Sequence, residues 1–185
     1  MADAMGDGVR AILTMAGRGD DVELMAQTPH RVARAWVELL SGVGQDPGVL
    51  LAKRFAAGSD EIVMLRDIAF HSTCEHHLLP FSGIAHVAYL PGKSGEVVGL
   101  SKLARLVECF SRRLQIQERM TREVAEALMD HLDARGAACF VQAQHLCMQC
   151  RGVRQSSAVM HTTSMLGQFR ESDAARAELI GMVHG

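Results

Sequence analysis

The feature that most limits how this chain can fold is a change of hydrophobic period along it. Up to about residue 45, apolar residues recur at helical spacing, as in "TPHRVARAWVELL" (28–40). From residue 61 the pattern becomes typical of strands, returns to helical spacing at residue 101 and to strand character near residue 137. The order helices, strands, two helices, strands, helix predicts an α+β fold with a largely antiparallel sheet.

Local signals predict where the elements begin and end. Thr28 and Pro29 are predicted as the N-cap and first position of one helix, and Ser101 as the N-cap of another. A further helix is expected from residue 117 to Gly136, and a short one from Ser172. Strands are expected at 61–70, 83–91, 95–100, 137–150 and 158–166. We expect a single domain over 1–185, with a helical part at 1–45 and a core at 61–170.

Composition excludes several broad classes. The 185 residues carry a formal net charge of -2, which gives no overall attraction to nucleic acid. No basic start is followed by an apolar run, and no stretch approaches the ~20 apolar residues of a membrane span. We therefore expect a cytoplasmic protein that binds neither nucleic acid nor membrane. In that compartment the five cysteines are expected to be thiols or metal ligands rather than disulfides.

Two clusters of metal-binding side chains lie about 70 residues apart. In "STCEHHLLPF" (72–81), Cys74 and His77 have the spacing of a chelating pair on a tight turn. In "HLCMQC" (145–150), Cys147 and Cys150 could complete a closed Cys3His structural zinc site.

Strand alternation favours a different ligand set. If residues 138–150 form a strand, His145 and Cys147 share one face, and Cys150 lies on the other as a buried thiol. The ligands are then Cys74, His77 and Cys147, with a fourth position left for water as in a catalytic zinc site. His145 lies close enough to exchange protons near the metal. The remaining cysteines, Cys109 and Cys139, fit apolar faces and are expected in the core.

The motifs "TPHRVA", "STCEHHLLPFSG", "GLSKLAR", "RRLQIQERMT" and "HLCMQCRGV" occur in an order and spacing that resemble the GTP cyclohydrolase I family. The resemblance runs from about Thr28 to Phe169. It implies the tunnelling fold, a ββααββ unit assembled into pentamers stacked as a homodecamer, with active sites between subunits. It also implies hydrolysis of GTP at C8 with release of formate and rearrangement to 7,8-dihydroneopterin triphosphate, the first step towards folate and tetrahydropterins.

Carried over position by position, the resemblance implies one zinc ion per subunit, bound by Cys74, His77 and Cys147. His145 corresponds to the proton donor at the purine, and His76 and Ser101 to residues near the ribose. Guanine recognition is implied for Glu118, with Gln117 beside it, because a carboxylate can accept two N–H bonds from guanine. The positions implied for triphosphate binding are Lys102, Arg105, Arg151 and Arg31.

The chain departs from the family at Ala158 and Met160, where a serine and a threonine are common. Two other functions stay open: a non-catalytic protein with a Cys3His zinc site, and a related tunnelling-fold enzyme acting on another pterin or deazapurine. A zinc deaminase is disfavoured, because its ligand histidine is followed two residues later by a glutamate, which "CEHH" does not offer.

Overall fold

The computed structural model describes residues 2–184. The chain divides into two compact units, Met1–Ser41 and Gly42–Gly185. The first contains helices α1 (Ala2–Met15) and α2 (Val22–Leu39). None of the described helices is both long and apolar enough to cross a membrane.

Helix α2 begins earlier than the sequence predicts. Its N-cap is Asp21, whose carboxylate accepts a hydrogen bond of 3.0 Å from the backbone N–H of Leu24. The prediction of Thr28 as N-cap is wrong, because Pro29 lies inside the helix and is buried. The residues predicted as a helix, 28–40, therefore correspond to the second half of a longer helix.

The second unit contains the rest of the elements. In chain order they are α3 (Pro47–Leu51), β1 (Arg54–Ala56), β2 (Val63–Cys74), β3 (Pro80–Leu90), β4 (Glu96–Val98), α4 (Leu100–Ser111), β5 (Leu114–Gln115), α5 (Gln117–Leu132), β6 (Gly136–His145), α6 (Leu146–Gln149), β7 (Met160–Gly167), α7 (Gln168–Glu171) and α8 (Asp173–His184).

The main sheet has the order β5-β2-β3-β6-β7 and is antiparallel except for the short parallel pair β2–β5. With α4 and α5 between β3 and β6, the larger strands and helices follow the order ββααββ. The predicted α+β class, the antiparallel sheet and the order that the resemblance implied are confirmed. The strand predicted at 95–100 is shorter than expected and corresponds to β4 (Glu96–Val98). It pairs with β1 in a separate two-stranded sheet.

Two helix ends differ from prediction. Ser101 is not an N-cap: α4 begins at Leu100 after Gly99, which provides no side-chain cap. Helix α5 ends at Leu132 rather than at Gly136, and Asp133 follows in the left-handed conformation with φ of 52°. Aspartate tolerates this conformation better than most residues, so the chain turns into β6 without requiring the glycine there.

The main core lies between one face of the sheet and helices α4 and α5. Leu103 and Leu106 of α4 and Leu128 of α5 are fully buried in it, together with Val87 of β3. A smaller cluster on the opposite face contains Phe169 and Leu179. As predicted, Cys109 and Cys139 are buried, and burial raises the pKa of both thiols.

Strand directions position the two predicted metal clusters. Strands β2 and β6 are each antiparallel to β3, so they run parallel to each other on either side of it. Their carboxyl ends therefore meet at the edge of the sheet where β3 begins. Cys74 is the last residue of β2, and His145 is the last residue of β6.

Candidate active site

The candidate metal ligands lie together at this edge of the sheet. One ligand atom from each of Cys74, His77 and Cys147 lies within 4.8 Å of the others, and Cys74 Sγ is 3.7 Å from His77 Nδ1. Cys74 ends β2, His77 is on the turn to β3, and Cys147 is in α6 directly after β6. The exposure of the three ligands rises from buried Cys74 through Cys147 to exposed His77, so the group opens towards solvent on one side.

The donor set fits a zinc ion. Two thiols and one imidazole are ligands that zinc prefers over the oxygen donors that magnesium or calcium requires. The pKa of Cys147 is raised by burial and by the neighbouring thiol of Cys74. Two thiolates this close repel each other, and a bound divalent cation would remove that repulsion.

Cys150 lies outside this group. Strand β6 ends at His145 and a helical turn follows, so the predicted strand to residue 150 is wrong. The alternation argument based on it therefore does not apply. Cys150 is exposed, so the prediction that it is a buried thiol is wrong. Among residues 2–184, the group that could hold a metal contains Cys74, His77 and Cys147, and Cys150 is not a member.

His145, two residues before the candidate ligand Cys147, is held in place by two contacts. Its Nε2 lies 2.8 Å from Gln117 Oε1, and its ring stacks on Phe81 with centroids 4.6 Å apart and planes at 3°. Phe81 and His145 are register partners on β3 and β6. Burial lowers the pKa of His145, and the negative charge of Glu118 acts in the opposite direction. Glu118 thus affects the electrostatic environment of the imidazole.

Comparison with known proteins identifies the family. The sequence profile described as GTP cyclohydrolase I matches residues 5–184. The chain belongs to the GTP cyclohydrolase I family. It is 46% identical over 177 residues to GTP cyclohydrolase 1 of Corynebacterium glutamicum, covering 96% of this chain and 90% of that protein.

Two other relatives carry the same name. GTP cyclohydrolase 1 of Rhodopirellula baltica is 51% identical over 176 residues, covering 95% of this chain and 76% of that protein. The protein of Mycobacterium leprae is 47% identical over 175 residues, covering 95% of this chain and 85% of that protein. The family resemblance predicted from the motifs is therefore confirmed.

In this family member the turn that carries Cys74 and His77 is linked to α5 by Glu75. Its carboxylate pairs with Arg119, and its backbone N–H donates to the carbonyl of Gln115 at 3.0 Å. Arg119 also donates to Gln115 Oε1 at 2.9 Å, and Gln115 Nε2 donates to Glu123 at 2.8 Å. The hydrogen bond from Arg119 lowers the pKa of Glu75, so the carboxylate is ionised at neutral pH.

The other predicted residues are distributed over several elements. The side chain of His76 is 64% exposed, with Nε2 3.8 Å from the Glu75 carboxylate. Glu118, next to buried Gln117 on α5, is exposed. Three of the predicted residues are on the first turns of α4: Ser101, Lys102 and Arg105.

One predicted cation acts electrostatically on the candidate metal ligands. The charge of Arg151 lowers the pKa of Cys147, against the larger effect of burial, although within the described part of the chain no hydrogen bond or ion pair joins Lys102, Arg105 or Arg151 to the three ligands. Arg151 is exposed just after α6. Arg31 is on α2 of the first unit, where its guanidinium donates to Gln27 one turn earlier.

Sequence reasoning missed three contributors to the site: Phe81, Arg119 and Thr162. Phe81 and Arg119 lie within the motifs that carry the resemblance, and their contacts cross between elements that only the fold brings together. Thr162, on β7, accepts a hydrogen bond of 3.1 Å from Gln117 Nε2 and lies outside those motifs. Gln115 lies in β5, before α5 begins, so the four-residue spacing to Arg119 is not a helical pair and gave no signal for this contact.

Proposed function

We propose that this chain catalyses hydrolysis of GTP at purine C8, with release of formate and rearrangement to 7,8-dihydroneopterin triphosphate. The observation that carries the proposal is the open donor group of Cys74, His77 and Cys147 with His145 beside it, in a chain of this family. Three protein ligands leave a coordination position for water or substrate, which distinguishes a catalytic from a structural zinc site.

We propose zinc as the ion that these three residues hold, one per subunit. When bound there, zinc would supply a Lewis acid and a water of lowered pKa. His145 would transfer a proton to the purine ring, which requires an imidazole held in a fixed orientation. Its contacts with Gln117 and Phe81 support this role. His76, exposed on the metal-bearing turn, would act near the ribose.

Glu118 is proposed to bind the N–H groups of guanine. An exposed carboxylate at the start of α5, near enough to His145 to affect its pKa, fits this role. Adenine lacks this pair of N–H groups, so a carboxylate discriminates against it. Gln117 was expected beside Glu118 as a substrate contact, but it is buried and its amide bonds protein groups.

The triphosphate is proposed to bind basic side chains of more than one subunit. The residues are Lys102, Arg105, Arg151 and Arg31, with Ser101 near the ribose. The family resemblance implies active sites between subunits, so a neighbouring copy would supply part of this set. We therefore propose the homodecamer of two pentamers that the family resemblance implies, acting in the cytoplasm. Where relatives often carry hydroxyl groups, this chain has Ala158 and Met160, and we propose no substrate contact for either.

The test is an assay of the zinc-loaded protein with GTP. We expect one formate per GTP and a product that becomes fluorescent on oxidation, as a dihydropterin does. A Cys147→Ala variant should produce neither, and a Cys150→Ala variant should produce both, because only Cys147 belongs to the donor group. Zinc-loaded, assembled protein that leaves GTP unchanged would refute the proposal. Formate without a pterin would indicate an enzyme that stops at ring opening.

A further inference from the structure

The side-chain amide of Gln117 has only one possible orientation. The residue is 1% exposed at the start of α5, and its Nε2 lies 3.1 Å from the carbonyl oxygen of Val141 and 3.0 Å from that of Met160. Carbonyl oxygens only accept hydrogen bonds. Exchanging the amide oxygen and nitrogen would bring three oxygens together without a hydrogen between them, so Nε2 must face these two carbonyls.

This orientation determines which nitrogen of His145 carries hydrogen. Gln117 Oε1 then faces His145 Nε2 at 2.8 Å, and because an amide oxygen has no hydrogen, the imidazole must donate. A neutral imidazole has a single N–H. The neutral ring is therefore the Nε2–H tautomer, and its lone pair is on Nδ1.

Four further contacts keep the pair in place. The Thr121 hydroxyl donates to the Gln117 carbonyl at 2.7 Å, and the Thr162 hydroxyl, 2.6 Å away, donates to Thr121. Thr162 also accepts from Gln117 Nε2 at 3.1 Å, which closes a ring of hydrogen bonds between α5 and β7. On the other side, Phe81 stacks on the imidazole and fixes its plane.

We propose that Gln117 is a positioning residue that holds His145 in the Nε2–H tautomer and leaves the Nδ1 lone pair as the group that accepts a proton from water and returns it to the substrate. The part concerning substrate rests on the proposed function; the tautomer does not. Gln117 has no hydrogen-bond donor left for guanine, since its two amide hydrogens already serve three protein acceptors. Its effect on catalysis passes through His145.

The tautomer can be measured by ¹⁵N NMR of the zinc-loaded protein labelled at histidine, at pH 8, where ordinary imidazoles are neutral. The His145 signals are assigned by comparison with His145→Ala. We expect a protonated Nε2 and an unprotonated Nδ1. Gln117→Met should give a mixture of tautomers. Gln117→Glu should keep Nε2–H, because a buried, protonated carboxyl group can donate its O–H to the two carbonyls and still offer its other oxygen to His145. Wild-type protein with Nδ1–H, or Gln117→Met with unchanged signals, would overturn the proposal.

Kinetics separate positioning from substrate contact. Loss of a correctly placed acid or base costs about 100-fold or more, so Gln117→Met should lower kcat to that degree while KM for GTP changes little. The matched control is Gln142→Met, the same substitution at an exposed glutamine of β6. It should keep the tautomer and most of kcat. A rise in KM with kcat unchanged in Gln117→Met would instead indicate direct substrate binding. If wild-type protein does not act on GTP, the proposed function fails, and the NMR result still decides the tautomer.

Discussion

The two segments that bring the candidate metal ligands together are held in place by different forces. The first is the turn after β2, which carries Cys74 and His77. It is linked to α5 through the Glu75–Arg119 ion pair, in which both side chains are 31% exposed. Backbone bonds from Cys74 to the carbonyl of Leu79 and from Leu78 to that of Cys74 close the turn.

The second segment, the end of β6 and α6, is held by buried neutral groups. His145 is fixed by an amide hydrogen bond and by an aromatic ring, and both Gln117 and Phe81 are 1% exposed. Cys147 follows two residues later at the start of a short helix. No charged side chain takes part in these contacts with His145.

This difference determines how each segment responds to a change. An ion pair near the surface is screened by salt and contributes modestly. A buried neutral hydrogen bond is insensitive to salt, but removing one partner leaves the other unsatisfied in a medium of low dielectric. The charged segment should therefore tolerate substitution with a graded loss of metal affinity, and the neutral segment should lose function abruptly.

The largest effect on zinc binding and activity is expected at the candidate ligands themselves, because each segment contributes a cysteine to the same group. Cys74→Ala and Cys147→Ala each leave two ligands, which cannot retain a zinc ion at ordinary concentrations. We expect both variants to contain almost no zinc after dialysis and to lose about 1000-fold or more of their activity. Zinc content is measured by atomic absorption and activity by formate release.

The matched control for these ligands is Cys109→Ala, which removes a buried thiol outside the donor group. It should retain one zinc per chain. Retention of zinc by Cys74→Ala but not by Cys147→Ala would mean that the two segments do not contribute equally to one site.

An intermediate effect is expected at Arg119. Arg119→Met keeps much of the side-chain volume but removes the partner of Glu75, so the turn carrying two ligands is less firmly held. Zinc should bind about five-fold more weakly, an estimate based on the modest contribution of partly exposed ion pairs. Zinc affinity is measured by competition with a chromophoric chelator. In 1 M salt the zinc affinity of the wild-type protein should approach that of the variant, because charges are then screened beyond about 3 Å.

Arg122→Met is the control on the same helix, because Arg122 pairs with Glu126 on an exposed surface. It should leave zinc affinity unchanged at every salt concentration. If Arg119→Met matched it, the ion pair would have no part in holding the turn.

The sequence predicted much of the fold, because period and turn signals are local. It predicted the group of Cys74, His77 and Cys147 that could hold a metal, but for Cys147 the argument from strand alternation was wrong. A strand extending to residue 150 was assumed, whereas the chain enters a helical turn after His145. In a helical turn, residues 147 and 150 lie on the same side, so spacing alone would again have allowed the closed site.

Other features could not be predicted from local pattern. The contacts of Gln117 with Val141 and Thr162 join residues 24 and 45 positions apart. That separation is bridged by the pairing of β6 with β7 and the packing of α5 against them. The N-cap of α2 was missed for another reason: Thr28-Pro29 is a strong local start signal, and Asp21 is a second one that precedes it.

The smallest effect is expected at Cys150, the residue that separates the open site from a closed one. Its side chain is exposed and its backbone N–H donates to the carbonyl of Leu146 at 3.0 Å, a bond that alanine retains. Cys150→Ala should change the free energy of unfolding by less than about 0.5 kcal/mol, as exposed substitutions usually do. By contrast, Cys139→Ala removes a fully buried side chain and should cost about 1 kcal/mol. Both variants should keep one zinc per chain in urea-unfolding and metal assays. Loss of zinc from Cys150→Ala would restore the Cys3His structural site as the correct interpretation, and with it a protein without an open coordination position.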